Sequence, residues 1–194
     1  KALPTGEAGV GYAAGELLNS FVDVANQPQD LSARQVALSR AEALASRMRN
    51  AGSQLDSLQE GVASDIKTTI ATINSLASRI ADMNQKIAAV TGSGHDPNDM
   101  LDQRDLLIKQ LSEKIHVSTV EAPDGSMSIF IGGGQQLVLS NHAQSLGVAV
   151  DDFDASKLQI TIGSYSGQAP VDESQITGGA LAGLLEVQNK DIAS

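Results

Sequence analysis

Residues 30–90 read DLSARQVALSRAEALASRMRNAGSQLDSLQEGVASDIKTTIATINSLASRIADMNQKIAAV, with no proline anywhere in the run. An α-helix rises ~1.5 Å per residue, so one helix over the whole stretch is a rod of ~90 Å. Ala41, Leu44, Met48, Ala51, Leu55 and Leu58 recur at alternating steps of three and four. Ile66, Thr69, Ile73, Leu76, Ile80, Met83, Ile87 and Val90 resume the alternation. That spacing is the a/d seam of a coiled coil, which needs partner helices to cover it. Val62 stands four residues from both Leu58 and Ile66, a stutter that locally unwinds the supercoil. Gly52 and Gly61 each cost ~1 kcal/mol in a helix interior. The stretch therefore reads as one continuous helix, bent near Gly61, against two helices broken near Gly52 or Gly61.

The flanks fit this reading. Pro28 pushes Gln27 out of the helical region. Ser32 offers an N-cap with Gln35 as its reciprocal partner. Thr91-Gly92-Ser93-Gly94 is a stop signal. Upstream, Gly15 to Asn26 reads as a shorter amphipathic helix with Leu17, Leu18, Phe21, Val22 and Val24 on its apolar face. Residues 1–14, rich in glycine, read as a flexible entry segment.

Composition narrows the function classes. Aromatics make up only 3% of the 194 residues, and no tryptophan is present. Ligand pockets draw on aromatic side chains, so a catalytic cleft is disfavoured. The net charge is −10, and no Lys/Arg cluster exists to track phosphates, which argues against nucleic acid. No apolar run approaches eighteen residues, so no membrane insertion is expected. Neither a secretory signal peptide nor any cysteine is present. A chain opening at Lys1 reads as a fragment of a longer protein. Arginines (Arg34, Arg40, Arg47, Arg49) crowd the first half of the long helix and acids (Asp56, Glu60, Asp65, Asp82) the second. That pattern reads as a solvated face.

The second half changes character. Asp96 can cap a helix that has Pro97 at its first position, with Asp99 in the first turn. This helix runs to Ile115 along a seam of Leu101, Arg104, Ile108, Leu111 and Ile115. Arg104 is a charge in an apolar line. It either snorkels to water or forms a part-buried ion pair, with Asp82 as a candidate partner. From Val117 onward strands are expected at 117–122, 127–131, 136–139, 146–150 and 158–162. Pro123-Asp124-Gly125 and Gly132-Gly133-Gly134 are turns, Asp151 to Asp154 a separator, and 163–172 a loop. Gly178-Gly179 opens a helix running to the end. The expected class is α+β: a long-helix antiparallel helical bundle with an inserted small antiparallel β domain. The expected segments are 1–14 flexible, 15–116 helical, 117–177 inserted β, and 178–194 a helix returning to the bundle.

Catalytic and metal motifs are wanting. The triple glycine lacks the Lys-Ser/Thr of a phosphate loop. Asp96-Pro97-Asn98-Asp99 lacks the glycine and glutamate of a calcium loop. His95, His116 and His142 have no ligand spacing. Gly163-Ser164-Tyr165-Ser166-Gly167 centres on tyrosine, so it is no esterase elbow. Two other classes stay open. One is an adhesive or glycan-binding β module on a helical stalk, with Phe130, Phe153 and Tyr165 as its platform. The other is a hydrolase built on the Asp-rich helix start.

Four stretches, in order, carry a resemblance. They are Asn26-Gln27-Pro28-Gln29-Asp30 through Arg34-Gln35; Leu101-Asp102-Gln103-Arg104-Asp105; Gly133-Gly134-Gln135-Gln136-Leu137-Val138; and Ile176-Thr177-Gly178-Gly179-Ala180-Leu181-Ala182-Gly183-Leu184-Leu185. Together they resemble the flagellar hook-associated protein 1 family. The resemblance implies a non-catalytic structural subunit at the junction of hook and filament, needing no cofactor. It implies export by the flagellar type III system to an extracellular site. The implied partners are neighbouring copies, hook protein and the second junction protein. It also implies that this fragment, lacking the terminal axial segments, is a monomer. The interaction residues expected on this reading are Leu101, Asp102, Arg104 and Asp105, the seam Ile66, Ile73, Leu76, Ile80, Met83 and Ile87, and Gly61, Gly178 and Gly179.

Overall fold

The computed structural model describes residues 5–151, 154, 157–164 and 167–191. The chain is α+β and divides into two compact units, residues 1–60 and 61–194. The boundary falls inside the long helix α2 (Leu31–Gly92), which contributes to both units. No break occurs at Gly52 or Gly61, where an added Cβ would meet nothing within 4 Å.

In the first unit, α1 (Val10–Asn26) starts five residues earlier than expected. A 3₁₀ turn at Gly6–Ala8 precedes it. Two arginines read as solvated in fact tie α1 to α2. Arg47 Nη1 donates to the carbonyls of Glu7 (2.6 Å) and Gly9 (3.1 Å), and Arg40 pairs with Glu16 at 3.1 Å. These links run antiparallel, 7 to 47 and 16 to 40, as the tight turn at 27–30 requires. The covered face of α1 is Ala13 and Ser20 with part-buried Leu17 and Val24, again at steps of three and four. Leu18, Phe21 and Val22, expected inside, are 66%, 54% and 58% exposed. Small residues win the interface because they let two helix backbones approach. At the start of α2 the cap is Asp30, whose Oδ1 accepts from Ser32 N–H at 2.7 Å, and not Ser32 itself.

In the second unit the seam of α2 is Ile66, Ile70, Ile73, Ala77, Ile80, Asn84 and Ile87, all buried. Leu76 is buried beside it, whereas Thr69, Met83 and Val90 are only part-buried. The expected line through Thr69 and Met83 is thus displaced by one residue. Steps of three and four taken in the other order lead to Ile70, Ala77 and Asn84. Helix α3 (Asn98–Lys114) buries Arg104, Leu107 and Leu111, with Ile108 only partly covered. Its N-cap position is Pro97, with no side-chain cap, so Asp96 does not perform the capping expected of it.

Two antiparallel meanders follow. The first is β1 (Ser118–Glu121), β2 (Met127–Ile131), β3 (Gln135–Leu139) and β4 (His142–Ala143), paired in chain order. The second is β5 (Ser145–Val150), β6 (Leu158–Ser164) and β7 (Gly167–Pro170). Strand β7 falls where loop was expected, and β4 where no element was assigned, because neither has the length or alternation that marks a strand. Helix α4 (Gly179–Glu186) continues as a π-helical turn over Val187–Asp191. Ile66, Ile73 and Ile80 of α2 join Leu111, Ile129, Leu137, Ile160 and Leu181 in one hydrophobic cluster. Helices and both sheets of this unit therefore share a single core.

Gly178 and Gly179 show why glycines stand here. Their φ angles are 91° and 77°, and a Cβ on Gly179 would lie 2.6 Å from the Lys114 carbonyl carbon. Gly179→Ala should cost about 3 kcal/mol, strain and overlap combined, read as a lower chemical-denaturation midpoint. Gly183→Ala, with open space around it, should not. Gly52→Ala and Gly61→Ala should each raise stability by up to ~1 kcal/mol in the same assay.

Candidate functional site

The most constrained polar geometry of the second unit lies where helices meet strand backbones. Each non-proline residue carries one N–H and one C=O that must be paired when buried. At three places a side-chain amide supplies that partner. Asn74 accepts from Leu146 N–H at 2.8 Å and donates to Leu146 C=O at 2.8 Å. Gln188 does the same for Leu158, at 3.1 and 2.9 Å. Asn84, 1% exposed, accepts from Met127 N–H at 3.0 Å. It also donates to the carbonyls of Met127 (2.8 Å) and Ser140 (2.7 Å).

Asn84 fills a gap in a sheet. Strands β2 and β3 pair through Ile129↔Val138, and the register shifts between Ile129 and Phe130. Extending the Ile129↔Val138 register by two residues sets Met127 opposite Ser140. The Asn84 amide occupies that rung and bonds both residues. Ser140 is also the one described non-glycine residue with positive φ, at 50°. The second sheet is gripped further at β6, where Ile160 N–H donates to Glu173 Oε1 at 3.3 Å, and Asn189 donates to Glu173 Oε2 at 3.0 Å.

None of these amides was singled out from sequence, although a signal existed. A polar residue on the line Ile66, Ile70, Ile73, Ala77, Ile80, Ile87 is conspicuous once the line is drawn correctly. Of the expected residues, Ile66, Ile73, Leu76, Ile80 and Ile87 are buried in the second unit, and Met83 is half-covered. Leu101 is part-buried, while Asp102 and Asp105 are exposed.

Arg104 behaves in neither expected way. It is 2% exposed, so it does not snorkel, and among the described residues it makes no ion pair with the exposed Asp82. Its Nη1 donates to Gly125 C=O, and its Nε has no partner among the described residues. The reason is the β1–β2 turn. Gly125, at φ 81°, sits so close to α2 that a Cβ would lie 3.2 Å from Ile87 Cγ2. That approach delivers the carbonyl to the guanidinium. Asp124 in the same turn accepts from Ser126 Oγ (2.6 Å) and Ser126 N–H (2.9 Å).

The cleft beside β4 offers no comparable arrangement. Of about 670 Å³, at the corner where β4 passes into β5, it is lined by Gln136, Leu139, His142, Gln144, Ser145 and Gln168 among others. It holds no Phe, Tyr or Trp. Of the aromatic platform a glycan-binding module would use, Phe130 is part-buried within β2, and Phe153 and Tyr165 lie outside the described residues. Among the described residues no group of His, Asp and Glu is placed to hold a metal ion, and no helix is long and apolar enough to cross a membrane.

The hydrogen bonds from Ser126, hydroxyl first, hold the Asp124 carboxyl below its ordinary pKa, and those from Ser174 do the same for Asp172. A depressed folded pKa means stability that is present above the unfolded pKa and lost as pH falls through the folded one. The denaturation midpoint should therefore drop below about pH 4, and Asp124→Asn should flatten that acid limb while keeping the turn.

The comparisons with known proteins bear on these findings together. The model of the family described as flagellar hook-associated protein FlgK helical domain matches residues 1–194. Flagellar hook-associated protein 1 of Salmonella typhimurium is 27% identical over 176 residues, covering 89% of this chain and 32% of that protein. The Bacillus subtilis protein of the same name is 28% identical over 198 residues, covering 94% and 38%. The chain thus spans about a third of the length of these relatives. The solved flagellar hook junction protein FlgK of Burkholderia pseudomallei superposes with a TM-score of 0.85 at 37% identity, over 93% of this chain and 33% of that one. The long helix and the two sheets described above therefore follow a known architecture, and the chain belongs to the FlgK family of flagellar hook-associated proteins, in the part that forms their helical domain.

Proposed function

We propose that this chain is part of a structural subunit of the bacterial flagellum, at the junction between hook and filament, and that it acts by packing and not by catalysis. The observation that carries this reading is the family match over residues 1–194, joined to close superposition on a hook junction protein. On this reading the subunit leaves the cell through the flagellar type III system. It contacts neighbouring copies, hook protein and the second junction protein, and the isolated chain is a monomer. The segments 15–116 and 178–194 are its helical part and 117–177 its β insertion.

The surface of the first unit supports subunit packing. Leu18, Phe21 and Val22 form a contiguous exposed apolar strip on α1. Such strips mark protein contacts when they cluster. We assign this one to burial against neighbouring copies.

Two cell experiments test the proposal. Deleting the full gene should leave hooks that carry no stable filament while unpolymerised flagellin appears in the medium; normal filaments would refute it. Replacing Leu18, Phe21 and Val22 together by serine in the full-length protein should preserve secretion and helix content yet abolish swimming in soft agar.

A further inference from the structure

Two surfaces of the second unit do nothing for its own fold. The first is the outward line of α3, where Asp99, Asp102 and Leu106 follow at steps of three and four with Asp105 beside them. All four are exposed, Leu106 at 55%. Among the described residues none of these three carboxylates makes an ion pair. Arg104, the cation in their midst, is turned inward to Gly125. The result is a ridge with a leucine at its crest and acids around it.

The second surface is a groove of about 540 Å³ where α2 runs beside α3. Ala71, Thr72 and Ser75 keep its α2 side low, because their side chains are short. Its charged members are Arg79 on α2 and Glu113 and Lys114 on α3. Neither Arg79 nor Lys114 has an ionic partner among the described residues. Residues 61–194 carry sixteen Asp and Glu against eight Lys and Arg, so two unpaired cations in one groove stand out.

We propose that the α3 ridge of one copy seats in the α2–α3 groove of a second copy. Leu106 enters between the short side chains, and Asp102 and Asp105 meet Arg79 and Lys114. The inference rests on the reading of the chain as a subunit that packs against its own copies, and it names the surfaces. Charge selects this site: an acidic ridge is repelled by most of so acidic a unit and attracted where cations are unpaired. The two patches differ, so the contact is heterologous and can be repeated from copy to copy in a ring or a helical row. Ridge and groove use successive lengths of α3, residues 99–106 and 110–114, so one copy can engage a neighbour through each. One helix ridge in one groove falls short of the ~1,600 Å² of a stable two-body interface, so the contact adds to others in an assembly and leaves the isolated chain a monomer.

Charge reversal in the full-length protein, expressed in cells that lack the native gene, tests this. Asp102→Arg with Asp105→Arg should leave secretion unchanged and cut the fraction of hooks that carry filaments about tenfold. Arg79→Glu with Lys114→Glu should do the same; if that pair does not fold, Arg79→Glu alone takes its place. Joining both reversals in one chain restores the pairing with its signs exchanged. It should return filaments to within about twofold of the native count. Normal filaments in either reversed variant, or no recovery in the combined one, would overturn the proposal. Either result beside filament-free hooks in the deletion strain removes this contact and keeps the junction reading, whereas normal filaments in the deletion strain remove both.

Discussion

A strand that ends against a helix leaves peptide groups with no neighbouring strand to receive them, and a dry core has no water to take the strand's place. Leaving one buried donor or acceptor unpaired costs about 1–3 kcal/mol, more than a typical hydrogen bond contributes when made. Asn74, Asn84 and Gln188 meet that demand at Leu146, Met127 and Leu158. A primary amide suits the task because it carries both a donor and an acceptor in one plane, as a strand residue does. Aspartate or glutamate offers no donor, and serine is too short to span both groups. The positions of both sheets on α2 follow from this pairing. So does the sharing of one hydrophobic cluster, because the amides bring Ile129 and Ile160 onto the isoleucine face of the helix.

How legible this was depended on the kind of force involved. The isoleucine repeat, the proline-free run and the turn chemistry of Pro123-Asp124-Gly125 are local patterns, and the elements they specify are present. The Gly178-Gly179 pair stood out in sequence, and the close approach to Lys114 explains it. What could not be read were outcomes decided by distant partners. The choice between Met83 and Asn84 as the inward residue rests on strands more than forty positions away, and hydrophobicity favoured the wrong one. Arg104 was recognised as anomalous, but its acceptor is a backbone carbonyl, which no side-chain pattern reveals. On α1 the larger apolar residues were assigned to the interface. Close helix contact instead selected Ala13 and Ser20 and left Leu18, Phe21 and Val22 outside.

The same contrast separates the two compact units. In residues 1–60, α1 is attached to α2 through arginine contacts at Glu7, Gly9 and Glu16, and its apolar strip is exposed. In residues 61–194 the polar groups that join helices to strands are amides, one guanidinium and the Glu173 carboxylate, bonded mostly to backbone, around one enclosed hydrophobic cluster. Surface ion pairs contribute at most about 1 kcal/mol each. Neutral amide bonds in a dry environment are insensitive to salt.

The amide rungs join residues far apart in the chain: Asn74 and Leu146 are separated by 72 positions, Asn84 and Met127 by 43. Contacts of such range close late in folding, because the loop entropy must be met before the contact returns anything. The helix that carries both asparagines is by contrast built from contacts four residues apart, and it also precedes the strands in the chain. During synthesis, then, the template is in place before the strands it must complete, and the strands emerge onto a surface already holding their missing hydrogen-bond partners.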